Sequence, residues 1–236
     1  MSNFKIKKSY IENPVITLDK TENESYWTES RIRSSKLFQY DVYKLARKIF
    51  NKHNFSSVLD IGSGPGTKID MFFNDIKDVH LIDQSSVKKI ASEICPNATF
   101  HEFNLDAKKN NLERKFDLLI NADVIEHLDN PDTLIEFIEG HMHEKSLLII
   151  STPDRDIRRG KFNNQSPNPA HVREWNKKEL KSYLESKGLD VVKQINLPIS
   201  KINSIKYNCA KLLGFAFRMS EWQGCQMVIA KLKSNK

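Results

Sequence analysis

The sequence predicts a doubly wound α/β fold built on a mostly parallel sheet. Three observations carry that prediction. Short runs rich in Val, Ile and Leu alternate with segments of helical period. Two of those runs, Phe116–Asn121 and Ser146–Ser151, are apolar nearly throughout, as strands buried on both faces are. Three of the chain's eight glycines, Gly62, Gly64 and Gly66, stand within five residues at the end of the first run. A chain so sparing with glycine places it where backbone turns tightly or meets a ligand closely.

Taken in order, residues 1–25 are polar with weak periodicity and read as an extended arm. Residues 29–53 read as one helix, with Ile32, Leu37, Tyr40, Tyr43, Ala46 and Phe50 at helical spacings. Ser57 to Ile61 is a first strand, followed by a helix over Lys68 to Asn74. Val79 to Asp83 is a second strand and Ser85 to Ile94 a helix; Ala98 to Phe103 and Phe116 to Asn121 are strands three and four. Asn130 is an N-cap with Pro131 at the first helical position, opening a helix to Gly140. Ser146 to Ser151 is a fifth strand, Lys177 to Ser186 a helix ended by Gly188, and Leu189 to Ile195 and Met227 to Leu232 late strands. In such sheets ligands bind beyond the carboxyl ends of the central strands.

Composition narrows the class. With 236 residues, 39% of them hydrophobic, the chain can bury a core without staples. Its three cysteines, Cys95, Cys209 and Cys225, form neither a disulfide framework nor a paired metal motif, which suits a reducing cytoplasm. No apolar run approaches the ~20 residues that span a bilayer, and no secretory signal is expected. Thirty-seven Lys and Arg against thirty Asp and Glu give +7. That surplus fits a solvated surface or an anionic partner such as nucleic acid, a phosphorylated metabolite or a membrane face.

The strongest motif is Val58-Leu59-Asp60-Ile61-Gly62-Ser63-Gly64-Pro65-Gly66-Thr67. A dinucleotide fingerprint wants glycine at 67, where this chain has threonine. An acid, Asp60, precedes the turn, and a carboxylate suits an ammonium group and repels a pyrophosphate. A second acid, Asp83, ends the second strand, and a third, Asp106, follows the third strand in Asn104-Leu105-Asp106. These residues resemble the class I S-adenosylmethionine-dependent methyltransferases, over about half of the chain from Val58 to Trp175. The resemblance implies a seven-strand, Rossmann-like sheet with an antiparallel last strand, here with N-terminal helices and a helical insert before that strand. It also implies S-adenosylmethionine as cofactor and S-adenosylhomocysteine as product. By it, Asp60, Gly62, Ser63, Gly64 and Gly66 hold the cofactor's methionine part, Asp83 and Gln84 its ribose side, and Leu105 and Asp106 its adenine. Asn121 offers a backbone carbonyl to its amino group.

At the reacting end strand four runs into Asn121-Ala122-Asp123-Val124-Ile125-Glu126-His127. Asp123, Glu126 and His127 stand at i, i+3 and i+4, so on a helical turn two carboxylates and an imidazole share one face. After strand five a loop over residues 153–175 carries Arg155, Arg158, Arg159, Lys161 and Arg173, expected to rim the substrate mouth. It ends in Asn168-Pro169-Ala170-His171-Val172-Arg173-Glu174-Trp175. This His-x-x-Glu-Trp ending resembles the small-RNA 2′-O-methyltransferases and the ubiquinone-pathway O-methyltransferases, which use a metal. Matched by position, the ligand set for a divalent metal is Asp123, Glu126, His127 and His171, with aspartate at 123 where those branches carry glutamate. Similar endings occur in methyltransferases of bacterial surface sugars and glycosylated metabolites. His171 or His127 is alternatively a general base for a hydroxyl. Tyr26 and Trp27 are candidates to fold over the sulfonium.

The expected organisation is an arm and helix over residues 1–55 capping the cofactor site, then a methyltransferase domain over 56–236. Its insert, 199–219, places Ile202, Ile205, Cys209, Leu212, Leu213 and Ala216 on one helical face, as a lid, a homodimer surface or a membrane-lying helix would. The expected function is O-methylation of a sugar, glycan precursor or other small polar, anionic metabolite in the cytoplasm. An RNA 2′-O-methyltransferase and a non-catalytic cofactor-binding partner are the alternatives.

Overall fold

The computed structural model describes residues 26–106, 111–162, 166, 168, 170–202 and 222–234. The expected arm over 1–25 and most of the 199–219 insert lie outside the described residues. Seven strands, β1 (Ser57–Ile61), β2 (Asp78–Asp83), β3 (Thr99–Glu102), β4 (Phe116–Ala122), β5 (Met142–Pro153), β6 (Leu189–Leu197) and β7 (Cys225–Leu232), form one sheet. Their order is β3-β2-β1-β4-β5-β7-β6. β1, β2, β3, β4 and β5 pair in parallel, and β7 runs antiparallel between β5 and β6. From β1 the chain winds outward to β2 and β3, then returns to pair β4 against the other side of β1. That reversal opens a crevice at the carboxyl ends of β1 and β4.

Helices α1 (Glu29–Ser35), α2 (Tyr40–His53), α3 (Thr67–Phe73), α4 (Ser85–Ile94), α5 (Pro131–Gly140), α6 (Arg155–Arg159) and α7 (Lys177–Ser186) surround the sheet. Alternate strand residues feed two cores. Val58, Leu118 and Ile120 pack with Val42, Tyr43 and Ala46 of α2 and Ile69 and Phe73 of α3. Leu59, Ile61 and Leu119 pack on the other face with Leu134, Ile135 and Ile138 of α5 and Leu180, Tyr183 and Leu184 of α7. Each fully buried aliphatic side chain contributes about 1.5–3 kcal/mol, and truncating Leu119 to alanine costs about 2–5 kcal/mol. The site therefore stands on strand ends held from both faces. Among the described residues no helix is long and apolar enough to cross a membrane.

Two local expectations are corrected. The single helix over 29–53 is two helices, because Lys36 to Gln39 are drawn into pairing with the segment after β6. Gln39 N–H donates to the Ile199 carbonyl at 3.0 Å, Lys201 N–H to the Leu37 carbonyl at 2.7 Å, and Phe38 bridges Ser200. Gln39 lies in the left-handed region, φ 52°, which no helix interior allows. The long loop after β5 opens with the short helix α6, capped by Asp154, whose carboxylate accepts from Asp156 and Ile157 N–H. Its end is fixed as expected: Trp175 is fully buried, and its carbonyl accepts from Arg155 N–H and Gln226 Nε2.

Candidate active site

β1 delivers Asp60 into the crevice at 1% exposure, and both its oxygens accept from the Tyr43 hydroxyl of α2, at 2.8 and 3.0 Å. Burial raises its carboxyl to about 7, against the Tyr43 hydrogen bond and Lys68, which favour the anion. The chain then turns sharply. Gly62 and Ser63 N–H both donate to the Ile82 carbonyl, at 2.8 and 3.1 Å. Gly62 has φ +76°, and a Cβ there would stand inside the Val124 side chain. Gly64 has φ +55°, and a Cβ would lie 3.1 Å from the Trp27 ring, so the turn is packed from above by that aromatic. Gly66 caps α3.

At the end of β2, Asp83 accepts from Gly64 N–H at 2.6 Å and Gln84 N–H at 2.7 Å, one bond to each oxygen. Burial raises its pKa too. Lys68 of α3 is buried, with Nζ 3.4 Å from the Ser35 carbonyl and 5.3 Å above the Tyr43 ring. Burial lowers its pKa, while Asp60, Asp123 and Asp83, in that order, favour its charge. Three acids and one lysine thus share an enclosed region, which suits a ligand of net positive charge. Asn121, fully buried on β4, donates from Nδ2 to the Ile61 carbonyl at 3.0 Å, and its Oδ1 has no partner among the described residues. Further along, the Leu105 carbonyl accepts from the Thr133 hydroxyl at 2.9 Å, and Asp106 accepts from Asn130 N–H at 3.4 Å. This places the third acid beside the start of α5.

β4 leaves the sheet through Asp123, φ 56°, before a single 3₁₀ turn, Ile125–His127. Asp123 accepts from Gln39 Nε2 and, at 3.4 Å, from the Ser151 hydroxyl. Glu126 is fully buried; Oε2 accepts from the Thr152 hydroxyl at 2.9 Å and Oε1 has no partner among the described residues. Burial first, then Asp123, push its carboxyl well above the usual range.

His127 Nδ1 lies 2.8 Å from the Ala170 carbonyl, and His171 Nδ1 lies 2.8 Å from Glu174 Oε1. A carbonyl and a carboxylate only accept, so both Nδ1 atoms carry a proton, and Nε2 is the nitrogen at which each ring accepts when neutral. The rings meet edge to face, centroids 4.8 Å apart. The His127 ring is exposed along one edge, yet the cleft walls and then His171 disfavour its charged form. One ligand atom each from Glu126, His127 and His171 lie within 4.8 Å of one another.

A family model described as a methyltransferase domain matches residues 33–194, well over half of the chain and inclusive of both halves of this site. The chain belongs to that methyltransferase family. Solved structures agree on the fold. The plantazolicin methyltransferase BamL, in complex with a triazolic desmethylPZN analog and SAH, is 17% identical, with a TM-score of 0.64 over 96% of this chain and 94% of that one. A S-adenosylmethionine-dependent methyltransferase from Clostridium acetobutylicum ATCC 824 is 12% identical, with a TM-score of 0.62 over 83% and 92%. The glycopeptide N-methyltransferase MtfA, complexed with SAM, is 14% identical, with a TM-score of 0.57 over 81% and 87%. No curated protein matches the chain. This is a class I methyltransferase, and its cofactor is S-adenosylmethionine. The chain's own residues fit that cofactor: an acidic surplus around one lysine meets a ligand with two positive groups and one negative.

In the methyltransferase the predicted residues divide three ways. Asp60, Gly62, Ser63, Gly64, Gly66, Asp83, Gln84 and Asn121 come together at the switch point, with Leu105 and Asp106 alongside. Glu126, His127 and His171 also come together, although His171 is more than forty residues away in sequence. Asp123 does not join them. The expected helical face fails because its positive φ turns the chain before the 3₁₀ turn begins, and its carboxylate is engaged by Gln39 and Ser151. The arginine rim is corrected as well. Arg155 forks onto Glu179 and Arg159 onto Glu174, each with two bonds of 2.9–3.0 Å, and Arg173 lies 3.6 Å from Glu179. The Arg158 side chain alone among these arginines makes no hydrogen bond or ion pair with a described residue, and it adds a favourable charge near Asp123. Tyr26 holds Arg31 beneath its ring rather than the glycine turn, which belongs to Trp27. Sequence reasoning missed Gln39, Tyr43, Lys68 and Glu174. Tyr43 read as one of the apolar helical positions, Lys68 as the start of a helix and Gln39 as mid-helix; only Glu174, three residues after His171, carried a local signal.

Proposed function

We propose that the methyltransferase transfers a methyl group to a hydroxyl of a sugar, a glycan precursor or another small polar, anionic metabolite. One observation carries this reading: Glu126, His127 and His171 each bring one ligand atom within 4.8 Å of the others, and both rings have Nδ1 engaged, which leaves Nε2 to take a proton or an ion. Asp60 receives the cofactor's ammonium group, the Gly62–Gly66 turn its methionine part, Asp83 and Gln84 the ribose side, and Leu105 and Asp106 the adenine. Bound S-adenosylmethionine supplies an electrophilic methyl, so the protein contributes alignment and removal of a proton. A sugar hydroxyl is a poor nucleophile at neutral pH and needs a positioned base or a cation that lowers its pKa. Either imidazole supplies the base. Alternatively Glu126, His127 and His171 hold a divalent ion, whose mixed oxygen and nitrogen donors suit manganese, iron or zinc better than magnesium. Arg158, whose side chain has no partner among the described residues, forks onto a phosphate or carboxylate and anchors the acceptor's charge.

The test is product mass after incubation with labelled cofactor and, separately, sugar nucleotides and short RNAs, with and without a chelator. A sugar product supports the reading, and a 2′-O-methylated RNA replaces it with the second acceptor class. Chelator sensitivity restored by manganese or zinc selects the metal over the base. An N-methylated product and no O-methylated one overturns the reading.

A further inference from the structure

Glu174 is fully buried and takes no part in the sheet. Four donors converge on its two oxygens: His171 Nδ1 at 2.8 Å, the Ser166 hydroxyl at 2.7 Å, and Arg159 through NH2 at 2.9 Å and Nε at 3.0 Å. Its neighbours are pinned on both sides. Arg173 N–H donates to the Glu126 carbonyl at 3.1 Å, and Trp175 pairs with Asp154 at the end of β5. A carboxylate held this firmly, with only one partner that faces the reacting groups, is an expensive way to close a loop, since a buried ion pair is weak support for stability. It is an effective way to hold a ring.

We propose that Glu174, clamped by Arg159 and Ser166, is a positioning residue that locks His171 in its Nδ1–H tautomer and turns Nε2 toward the acceptor. The inference rests on the reading of His171 as a group of the reacting end, and it holds whether Nε2 takes a proton or a metal. Without the carboxylate the ring keeps only the longer approach of Nδ1 to the Ser166 hydroxyl, 3.3 Å, and the Nε2–H tautomer, which offers neither a base nor a ligand at that atom, becomes populated. Outer groups that orient a histidine in this manner change activity or metal affinity by about 10–100-fold when removed. The clamp also ties the site to α6. Arg159 points back to Glu174 while the Arg158 side chain, one residue earlier, has no partner among the described residues, so one short helix fixes the ring and presents the anchoring charge.

Glu174→Gln tests this. A glutamine fits the space, but its amide cannot accept from both His171 and the Arg159 fork: turning its oxygen to one presents N–H donors to the other. The expected result is a folded protein with unchanged S-adenosylmethionine affinity, turnover reduced about ten- to a hundredfold, and a ¹⁵N imidazole spectrum in which His171 no longer shows the Nδ1–H tautomer alone. Arg159→Lys keeps the charge and loses the fork. It is expected to shift the same ¹⁵N signals partway, and it serves as the test if the glutamine variant does not fold. His171→Ala is measured in parallel. Wild-type turnover in that variant removes His171 from the chemistry and with it the premise. Impaired His171→Ala together with wild-type turnover and an intact Nδ1–H signal in Glu174→Gln, or in Arg159→Lys where it must stand in, overturns the positioning role alone.

Discussion

The two halves proposed for the crevice, one for the cofactor and one for the acceptor, are built in opposite ways. The cofactor half comes from one strand–turn–helix, Val58 to Lys68, and one further acid at the next strand end. Its main groups are contiguous, and backbone N–H groups at Gly64 and Gln84 already hold Asp83. The acceptor half is assembled from pieces far apart: Glu126 and His127 after β4, His171 and Glu174 at the end of a loop, and Arg158 on α6. The first half is dominated by buried acids; the second by two imidazoles, each oriented by an acceptor on Nδ1. Contiguity gives a site that tolerates change elsewhere in the chain. Assembly gives one whose specificity can be altered by moving a loop.

That contrast predicts effects that separate cleanly. The largest belongs to His171. His171→Ala should lower turnover about 10²–10⁴-fold, the range for a lost general acid–base group, while leaving cofactor affinity unchanged by calorimetry. A matching loss of cofactor affinity would mean that the two halves are one cooperative unit. Next is Asp83→Ala, which should weaken S-adenosylmethionine and S-adenosylhomocysteine alike. The loss of hydrogen bonds to a charged acceptor is worth about 1.5–3 kcal/mol, or about ten- to a hundredfold. Equal affinity in variant and wild type would remove Asp83 from the cofactor site.

The same contrast explains what the sequence disclosed. The central strands β1 and β4 were legible nearly to the residue because burial on both faces forces continuous Val, Ile and Leu, whereas β5 runs from Met142 to Pro153, well beyond the expected 146–151, because its start carries the exposed Glu144 and Lys145. The cofactor half was legible because its groups share one local motif. Lys68 and Tyr43 were not, since a buried cation and a tyrosine hydroxyl look, in one dimension, like a solvated lysine and a core aromatic. The break at Gln39 had no local signal at all: pairing with residues 199–201 imposes it from across the chain. Asp123 misled for a related reason. Its i, i+3, i+4 spacing fits a helix, but the strand end it must leave requires a left-handed turn, where aspartate is among the better tolerated residues.

Arg158 and Arg159 sharpen the comparison within a single turn of helix. Arg158→Ala should raise the acceptor KM about tenfold and leave cofactor binding and melting temperature near wild type, consistent with loss of one charge-assisted contact. High salt should raise the wild-type KM toward that of the variant, because an exposed charge is screened within about 10 Å at 0.1 M. Arg159→Ala should instead lower the melting temperature, since it strands the buried Glu174 carboxylate. Equal acceptor constants in wild type and Arg158→Ala at low salt would remove the anchor.

The smallest effect is carried by protons at Asp60, and its sign follows from burial. Its carboxyl is held at about 7 in the protein without cofactor, chiefly by desolvation, against about 3.9 for an unfolded aspartate. Folded protein therefore binds more protons here than unfolded chain, so Asp60's contribution to stability is complete below about pH 4 and is lost as pH rises through about 7. An ammonium group placed beside it favours the anion. Cofactor binding at pH 6 should then expel close to one proton, and affinity should fall roughly fivefold from pH 7 to pH 6, against about twofold from pH 8 to pH 7. Calorimetry in buffers of different ionisation enthalpy measures the release directly. Tyr43→Phe removes a hydrogen bond that lowers the Asp60 pKa, so it should move the whole profile to higher pH. Buffer-independent heats at pH 6 in the wild type would show that Asp60 is already ionised before the cofactor arrives, and the acidic half of the crevice would then be preformed in charge as well as in shape.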